Sequence, residues 1–505
     1  MLNTGHTQIK LSQYRCLYDL IIPKDNFLRK IKENIDFSFV NPLLEKSYCK
    51  YYGRPATEPE LMFKLLFLKR MYDLSDVELI ERASVDMSFK YFLDLDPEDK
   101  LVNDSLLTKF RRSRINSEEI LEEMLTETVR QAIEKRLIKS NSIIVDATHT
   151  KSKCNSETPT QMLRRLTKEL RKKIYASKPE LANQFPEKPS DTATLETEIT
   201  YAKELVNVLE RNITQNDNIK LQNKFNQVKE LLKNDKIKEI QSVVDEDAKL
   251  GYKSETNSFF GYKNHIAMTE DRIITAIEIT SGEAPDGKYL NDLIEKSKKN
   301  GIEVDEVLGD KAYAGKENLE YAKEEGIKII SRMNPVISNG NRTGDDGFEY
   351  IKDADMVKCP MGHLCIRKSR TGKKNNTTRN QTMTYYFDIE KCKECKLKGQ
   401  CYKENAKSKT YSISILSDTH KEQKEFEETE YFKERIKQRY MIEAKNAELK
   451  QSHGLDKCKY LGLSGMRMQT YFTVFVGNIK RIMRLMELKM VSSSTFFYSL
   501  RYLYV

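Results

Sequence analysis

Three acidic residues occupy positions in the sequence where carboxylates could hold a metal ion. Asp146 follows the branched apolar residues of SIIVD, and Asp310 follows a second strand-like segment, VLGD. Residues just past strand ends meet at one edge of an α/β sheet, and two carboxylates there repel each other unless a cation lies between them. Mg²⁺ suits such a site, because it takes hard oxygen ligands and keeps water or phosphate oxygens in its other positions. Either aspartate taken alone is more simply explained as the cap of a turn or helix.

The third acid, Glu443, lies in a segment with helical spacing, ERIKQRYMIEAKNAELKQSHGL. At about 100° per residue, Arg439 lies about 40° from Glu443 around the helix axis and Lys450 about 20° on the other side. The acid and the two cations therefore share one helix face. A metal-bound phosphodiester calls for this arrangement, with the glutamate as a ligand and the cations on phosphate. An ion-pair ladder along the helix is the alternative interpretation.

Strand-like and helical segments alternate through the part of the chain that carries the two aspartates. After SIIVD come GYKNHIAMT, RIITAIEIT and EVDEVLGD, with the helical YLNDLIEKSKKNG before the last of them. The helical KENLEYAKEEG and a short strand, IKIISRM, follow. This order predicts a mixed α/β domain whose first strand, residues 141–146, ends at Asp146. From Glu425 to about Met490 the pattern is helical again.

Residues 1–135 predict short helices. Two capping boxes mark helix starts, Thr57 with Glu60 and Ser75 with Glu78. The segment DSLLTKFRRSRI predicts a short helix with a basic end, which fits a helix-turn-helix-like DNA-binding module. An ordinary helical bundle with a solvated basic end is the alternative. The basic side chains that we assign to DNA binding are Lys109, Arg111 and Arg112.

A long polar segment, residues 155–245, has helical spacing throughout. Its three apolar stripes predict three helices. The stripes are Leu163, Leu166, Leu170 and Ile174; Leu195, Ile199, Ala202 and Leu209; and Leu221, Phe225, Val228 and Leu232. The first helix also carries a run of Arg and Lys residues, which we interpret as a solvated face, with contact to DNA as the alternative.

Composition restricts the class of protein. The 505 residues suggest about three domains, at one per ~150 residues. The net charge of +10 favours a nucleic-acid partner only weakly. The N-terminus has no signal-peptide pattern, and no apolar run reaches the ~18 residues of a membrane helix. Nine cysteines, an odd number, favour a reducing cytosol over a disulfide framework.

Five of the nine cysteines lie close together in the sequence, in CPMGHLC and KCKECKLKGQC. A Cys-x₂-Cys pair can close on one metal ion, and a distant cysteine turn can complete a tetrahedral Zn²⁺ site. The ligands that we predict are Cys359, Cys392, Cys395 and Cys401, with Cys365 or His363 as substitutes. Such a site would be structural, because thiolates would fill every position. Free reduced thiols are the alternative.

The sequence resembles the DDE transposases of bacterial insertion sequences, whose catalytic domain has a ribonuclease H-like fold. One branch of that group carries a Tyr-Arg-Glu-Lys signature on its glutamate helix, and Arg439, Glu443 and Lys450 match it at the correct spacings. Ile436 stands at the tyrosine position. The segments RPATEPELMFKLLFLKRMYDLSDVELIERA, DSLLTKFRR, FFGYKNHIAMTEDRIITAIEITSGEAPDGKYLNDLI and VLGDKAYAG also resemble this group. The resemblance spans roughly residues 50–490 and is weakest in the polar segment.

The resemblance implies a catalytic triad of Asp146, Asp310 and Glu443 that binds two Mg²⁺ or Mn²⁺ ions. One ion would activate water for hydrolysis at the end of the element, and the other would stabilise the leaving 3′ oxygen. The freed 3′-hydroxyl would then attack target DNA. Arg439 and Lys450 would position phosphates. Further DNA contacts are predicted at Lys263, His265, Lys311 and Tyr313, with a fold role for Tyr313 as the alternative.

The implied partner is double-stranded DNA, both the terminal inverted repeats of the element and the target, bound by a homodimer. No membrane partner is expected, and the expected location is the cytoplasm, in association with the nucleoid. Two other functions would keep the same acids. One is a catalytically inactive, transposase-derived regulator that only binds DNA, and the other is a ribonuclease H-like nuclease without strand transfer.

The predicted fold class is α/β, a ribonuclease H-like mixed sheet flanked by helices. Its first part comprises residues 136–154 and 246–335, and residues 421–490 supply the helices that carry the glutamate. An all-α DNA-binding region, residues 1–135, precedes the core. The sheet is interrupted by a helical insertion, residues 155–245, and followed by a Cys-rich insertion with the candidate zinc site, residues 336–420. Residues 491–505 form a tail.

Overall fold

A computed structural model describes most of the chain. The described residues are 12–49, 56–115, 117–213, 218–234, 237–253, 257–334, 347–351, 354–372, 380–401 and 406–502. Among these residues, no helix is both long enough and apolar enough to cross a membrane.

The N-terminal region is helical, as predicted. Its helices are α1 (Cys16–Ile21), α2 (Phe27–Asn34), α3 (Val40–Glu45), α4 (Pro59–Met71), α5 (Asp76–Val85), α6 (Met87–Phe92), α7 (Asp104–Ser113) and α8 (Glu118–Glu134). The capping box of Ser75 and Glu78 is confirmed at the start of α5. The box predicted at Thr57 and Glu60 is wrong, because Pro59 takes the first helical position and makes Glu58 the N-cap residue.

One mixed sheet forms the centre of the molecule. Its strands are β1 (Ser142–Lys151), β2 (Lys249–Tyr252), β3 (Ser258–Thr269), β4 (Ile274–Ser281), β5 (Glu306–Leu308) and β6 (Lys328–Ile330). The order is β2-β3-β1-β5-β6, and β4 also pairs with β3. β1 is antiparallel to β3 and parallel to β5, and β5 is parallel to β6. This mixed topology is compatible with a ribonuclease H-like fold.

The first strand is longer than predicted. β1 does not end at Asp146 but continues to Lys151, paired with β3 along its whole length from Ile143. The parallel neighbour β5, in contrast, pairs only with Ser142, Ile143 and Ile144. Asp146 therefore lies in the middle of a strand but beyond the end of its parallel neighbour. The long antiparallel partner overrides the low strand propensity of aspartate.

The helical insertion leaves the sheet after β1 and has a hydrophobic core of its own. It contains α9 (Pro159–Ser177), α10 (Leu195–Glu210) and α11 (Ile219–Lys233). The four apolar residues of the first stripe are all at most 1% exposed, and the other two stripes are buried or partly buried in the same cluster. The basic run on α9 is only partly a solvated face, because Arg164 and Arg165 form ion pairs with Glu198 and Glu157.

Two helices follow β4 and β5 and pack beside the sheet, α12 (Leu290–Lys299) and α13 (Lys316–Glu324).

The Cys-rich region then forms two small sheets that were not anticipated from the sequence. Their strands are β7 (Glu349–Ile351), β8 (Met356–Lys358), β9 (Arg367–Thr371), β10 (Gln381–Phe387) and β11 (Lys409–Ile415). Two short helices lie between β10 and β11, α14 (Ile389–Lys393) and α15 (Lys398–Cys401).

Helices return after β11 and connect the sheet with the N-terminal region. They are α16 (Asp418–Glu427), α17 (Glu430–Arg435), α18 (Tyr440–Gln451) and α19 (Gly462–Tyr502). On α19, the ring of Phe475 lies 5.2 Å from that of Phe63 in α4. Asn478 of the same helix donates to the carbonyl of Ile274 in β4 at 2.8 Å and to the hydroxyl of Thr128 in α8 at 3.1 Å. The sheet and the N-terminal helices therefore share one core.

Arg111, which we assigned to DNA binding from its sequence, is a structural residue. Its guanidinium is 8% exposed and makes a bidentate pair with Asp76, 2.8 Å from Nη1 to Oδ1. Burial raises the pKa of Asp76, but hydrogen bonds from Arg111 and Lys69 outweigh burial and bring the pKa down to about 2. Lys109 and Arg112, on the same helix, are exposed. The sequence does not reveal this difference, because the partner acid lies on another helix.

Replacing Arg111 with Ala is expected to destabilise the protein by about 2–3 kcal/mol at pH 7, because one member of a buried ion pair is removed while Lys69 still compensates Asp76. The effect should shrink below about pH 4, where Asp76 is protonated in the unfolded chain. Denaturant unfolding of the full chain measures it, and Arg112→Ala is the matched control. Equal stabilities of the two variants would contradict the structural role of Arg111.

Candidate active site

The two predicted aspartates lie beside each other at one edge of the sheet. The last parallel pair between β1 and β5 is Ile144 with Leu308, and each aspartate comes two residues later in its strand direction. Burial raises the pKa of Asp146 to about 6, and the negative charge of Asp310 contributes to the rise. The positive charge of Arg439 opposes it. The ionised form of Asp146 is thus disfavoured beside a second carboxylate.

Asp310 has a structural contact as well as this neighbour. Its Oδ1 accepts a hydrogen bond from the backbone N–H of Ala312 at 2.9 Å, which caps the short 3₁₀ turn Lys311–Tyr313. The hydroxyl of Ser331 donates to its backbone carbonyl and fixes the segment to the residue after β6. The Asp310 side chain can therefore cap this turn and still lie beside Asp146.

The predicted third acid lies on α18, which packs across β1. Asn446 donates from Nδ2 to Oδ2 of Asp146 at 2.9 Å, and Glu443 is three residues earlier on the same side of the helix. The Glu443 side chain is 56% exposed and pairs with Arg439, 2.6 Å from Nη2 to Oε1. Arg439 ends a 3₁₀ turn, Ile436–Arg439, that leads into α18.

The carboxylates are not gathered as a metal cage. Within the described residues, no group of three or more His, Cys, Asp or Glu side chains is arranged to hold a metal ion. The site nevertheless fits a hard cation in its donor chemistry. The ionised form of Asp146 is disfavoured beside Asp310, and a cation would relieve this repulsion. The buried Oδ1 of Asn446, which has no hydrogen-bond partner among the described residues, is a further oxygen donor. To bind the cation, Glu443 would have to release its ion pair with Arg439.

Lys450 extends the site along β1, with basic neighbours. Its Nζ lies 3.4 Å from Nδ1 of His149 in β1. Burial lowers the pKa of Lys450 to about 8, and the positive charge of Lys253 contributes, while Asp456 and Asp146 oppose it. Burial and the same cations lower the pKa of His149 to about 4. Lys450, Lys253 and Lys151 form a cationic patch around His149 that a phosphate would stabilise.

Two residues predicted to contact DNA are engaged inside the protein. Lys263 bonds to Asp286 at 2.7 Å and to the carbonyl of Ala284 at 2.8 Å. His265 is fully buried, lies 3.0 Å from the hydroxyl of Thr280 and stacks on the ring of Tyr289. Burial lowers the pKa of His265 to about 4, so the ring is neutral near pH 7. β4 and the segment after it supply partners that the motif GYKNH does not reveal, and contact of these two residues with DNA stays a prediction.

The other two predicted contacts differ from each other. Lys311 is exposed next to Asp310. Tyr313 is fully buried, with its ring close to Gly309, where an added Cβ would lie 2.7 Å from the ring. The fold role considered for Tyr313 is therefore the one supported. Burial and the carboxylates of Asp146 and Asp286 hold the pKa of Tyr313 well above its usual value.

Sequence reasoning missed two members of the site. Asn446 fixes Asp146, and its spacing of three residues from Glu443 is a signal that could have identified it. Asp286 is a fourth nearby acid, whose charge raises the pKa values of Asp146 and Tyr313. It follows β4 in a short 3₁₀ turn, and no spacing in the sequence relates it to the triad.

The predicted zinc ligands lie apart from this edge of the sheet. Cys359, Cys392, Cys395 and Cys401 line one small cavity in the Cys-rich region, together with His363. Cys365 does not line it, because its sulfur is buried in a small core and accepts the backbone N–H of Val357 at 3.4 Å. Of the two predicted substitutes, only His363 is placed at the cavity.

The mixed sheet is compatible with a ribonuclease H-like fold, and comparison with known families specifies the class of protein further. The description Transposase domain (DUF772) matches residues 16–113, and two descriptions of a Transposase DDE domain match residues 228–346 and 358–483. No curated protein matches the sequence. The chain is a DDE transposase of the insertion-sequence type. Asp310 and Glu443 lie inside matched segments, and Asp146 lies between two of them.

Replacing Asp146 with Asn should stabilise the metal-free protein at neutral pH. In the folded protein Asp146 holds its proton up to about pH 6, compared with 3.8 for an ordinary aspartate. The wild type therefore loses stability as pH rises from about 4 through 6, by about 3 kcal/mol at most. Thermal unfolding in chelator should show a higher Tm for the variant at pH 8 and no difference below pH 4.

The matched control is Asp456→Asn, whose carboxylate is 58% exposed. This variant should follow the wild type at every pH. A Tm for Asp146→Asn that also follows the wild type throughout would mean that Asp146 is ionised without cost in the folded protein.

Proposed function

We propose that this transposase cleaves DNA at the ends of its own insertion sequence and transfers the freed ends into target DNA. The proposal rests on one observation, the coupling of Asp146 and Asp310 at the edge of the sheet where α18 is fastened by the Asn446–Asp146 bond. The helix brings Glu443 and two cations to that same edge. Three carboxylates with adjacent phosphate-binding groups are suited to phosphodiester chemistry.

Asp146, Asp310 and Glu443 would hold Mg²⁺ or Mn²⁺, two ions by family resemblance. When bound, the ions would supply Lewis-acid stabilisation of the oxygens that enter and leave phosphorus. The raised pKa of Asp146 supports this assignment, because a cation relieves the repulsion between the two aspartates. Asn446 would hold Asp146 in one orientation.

The basic residues of the site would bind the DNA backbone. Lys450 has a pKa of about 8 because it is buried beside Lys253, and an arriving phosphate would favour its charged form. Arg439, once released from Glu443, could present its planar guanidinium to a phosphate. Lys311 is exposed beside Asp310 and would extend this surface.

The proposed reaction needs no external energy source for strand transfer. In the first step a water oxygen bonds to phosphorus at the end of the element, the P–O3′ bond breaks, and a 3′-hydroxyl is released. In the second step this hydroxyl attacks a target phosphodiester in line. One P–O bond forms for each that breaks, so the joined product conserves the bond energy of the target.

Concerted joining needs two ends of the element, so we propose that a homodimer binds the terminal inverted repeats and the target duplex, in the cytoplasm at the nucleoid. The Tyr-Arg-Glu-Lys branch also stays a prediction, with Ile436 at the tyrosine position. An inactive DNA-binding regulator and a nuclease without strand transfer are the alternatives.

Replacing Asp146, Asp310 or Glu443 with Ala should abolish cleavage and leave specific DNA binding largely unchanged, because these side chains would hold metal and not bases. Oligonucleotides that carry the terminal repeats, incubated with Mg²⁺, report nicking and strand-transfer products on gels. Glu434→Ala, which removes an exposed acid from α17, is the control and should retain activity.

The three functions give different results in this assay. Strand-transfer products support the transposase activity, binding alone supports the regulator, and cleavage without joining supports the nuclease. Cutting by the Asp146→Ala protein would show that the triad is wrongly assigned.

A double replacement of Lys109 and Arg112 with Ala should weaken DNA binding and make it less sensitive to salt. Each lost phosphate contact lowers the slope of log K against log [salt] by about 0.9. Binding isotherms at several salt concentrations measure the slope. The slope of an equally exposed double variant elsewhere, Lys396→Ala with Lys407→Ala, should stay unchanged. An unchanged slope for the first variant would place α7 away from DNA.

A further inference from the structure

The Cys-rich region contains a cavity that the proposed transposition chemistry does not use. Four cysteines line it, and apolar and charged side chains share its other walls. Cys359 comes directly after β8, Cys392 lies in α14, Cys395 follows α14, and Cys401 ends α15. Three separate segments of the chain therefore converge on one cavity. The first and the third segment each contribute one thiol, and the middle segment contributes two.

The backbone around these cysteines is turned as in metal-binding knuckles. The N–H of Cys395 donates to the carbonyl of Cys392 at 3.3 Å, and the N–H of Gly362 donates to that of Cys359 at 2.8 Å. The N–H of Leu397 points at the sulfur of Cys395, at 3.4 Å. A backbone N–H aimed at sulfur stabilises a thiolate, which is the form that binds metal.

We propose that Cys359, Cys392, Cys395 and Cys401 bind one structural zinc ion. Four thiolates from three segments of the chain would form a closed tetrahedral site, and Zn²⁺ is the divalent ion that such a set of ligands favours. With all four positions filled by protein, the ion has no open position for substrate. The site is distinct from the carboxylate edge in location and in ligand chemistry.

The surroundings carry the charge that this site needs. Zinc with four thiolates has a net charge of −2, and three lysines line the cavity, Lys391, Lys398 and Lys409, with one acid, Asp388. Lys409 also donates to the carbonyl of Cys401 at 2.6 Å. Asp388 accepts the N–H of Glu390 as the cap of α14.

The four thiols line one cavity. The sulfurs are not in ligand geometry among the described residues, so binding would draw them together by side-chain rotation. The energy of metal binding would then be available to fix the region.

The local fold has little else to hold it together. Its separate core contains four buried residues, Val357, Cys365, Tyr385 and Phe387. So few apolar side chains seldom stabilise a small unit, and metal ions commonly compensate. Zinc would join the end of β8 to the helices between β10 and β11. Since β11 leads into α16, α17 and α18, the ion would also fix the start of the segment that carries Glu443.

Elemental analysis of the purified full-length protein, dialysed in buffer with Mg²⁺ as the only added metal, should find one zinc ion per chain. Cys392→Ser and Cys395→Ser should each lose it. Cys365→Ser, whose sulfur is in the core, and Asp146→Ala, in the carboxylate site, should keep it. Replacing zinc with Co²⁺ should give the strong visible bands of a tetrahedral thiolate site.

Several results would overturn the proposal. They are zinc-free wild-type protein, iron in place of zinc, zinc lost equally from the Asp146→Ala variant, or a disulfide among the four cysteines.

If the serine variants are insoluble, thiol alkylation of the wild-type protein tests the zinc site instead. The four cysteines should resist alkylation until a chelator removes the metal, whereas the exposed Cys16 and Cys49 should react at once. Equal reactivity of all six would contradict the site. Neither outcome bears on cleavage by the triad, so the two proposals fail separately.

Discussion

The repulsion between two carboxylates at the edge of the sheet is the constraint on which the rest of the site depends. The parallel pairing of β1 with β5 brings Asp146 and Asp310 to the same level, and burial of Asp146 together with the charge of Asp310 raises the pKa of Asp146 to about 6. A proton or a cation at this edge would relieve the repulsion. The repulsion lowers the stability of the folded protein at neutral pH, and the two acids involved are those that we propose as metal ligands.

The helix with the third acid reaches this edge from a distant part of the chain. Between β6 and α18 lies the Cys-rich region, and between β1 and β2 lies the helical insertion. Each has a separate hydrophobic cluster, so neither interrupts the core of the sheet. The position of α18 is set instead by contacts with strands, above all the Asn446–Asp146 bond, and α19 connects the sheet with the N-terminal helices.

The features that sequence predicted correctly are those that local periodicity encodes. The apolar stripes of α9, α10 and α11, the capping box at Ser75 and the central strands all follow from neighbouring residues. The length of β1 was missed, because its antiparallel partner is more than a hundred residues away. The sheets of the Cys-rich region were missed because their strands are short and polar, with little alternation to detect.

The candidate site was predicted in the same uneven way. The three acids could be proposed because each lies in a recognisable strand or helix pattern and the resemblance supplied their order, and their role stays a prediction. The role of a basic residue could not be found, because it depends on whether an acid from another element lies beside it. Arg111 meets Asp76 and Lys263 meets Asp286, and neither partner is near in sequence.

This distinction changes what the net charge of +10 means. Cations with a buried acid beside them stabilise the fold and contribute little to the field outside. Burial and the positive charge of Lys253 instead lower the pKa of Lys450, so the positive charge there is incompletely compensated within the protein. The negative charge of Asp146, the residue for which a cation is most needed, also acts on Lys450. The phosphates of DNA would neutralise the lysines, and a metal ion would neutralise the acids. Each ligand would therefore favour the binding of the other at this edge.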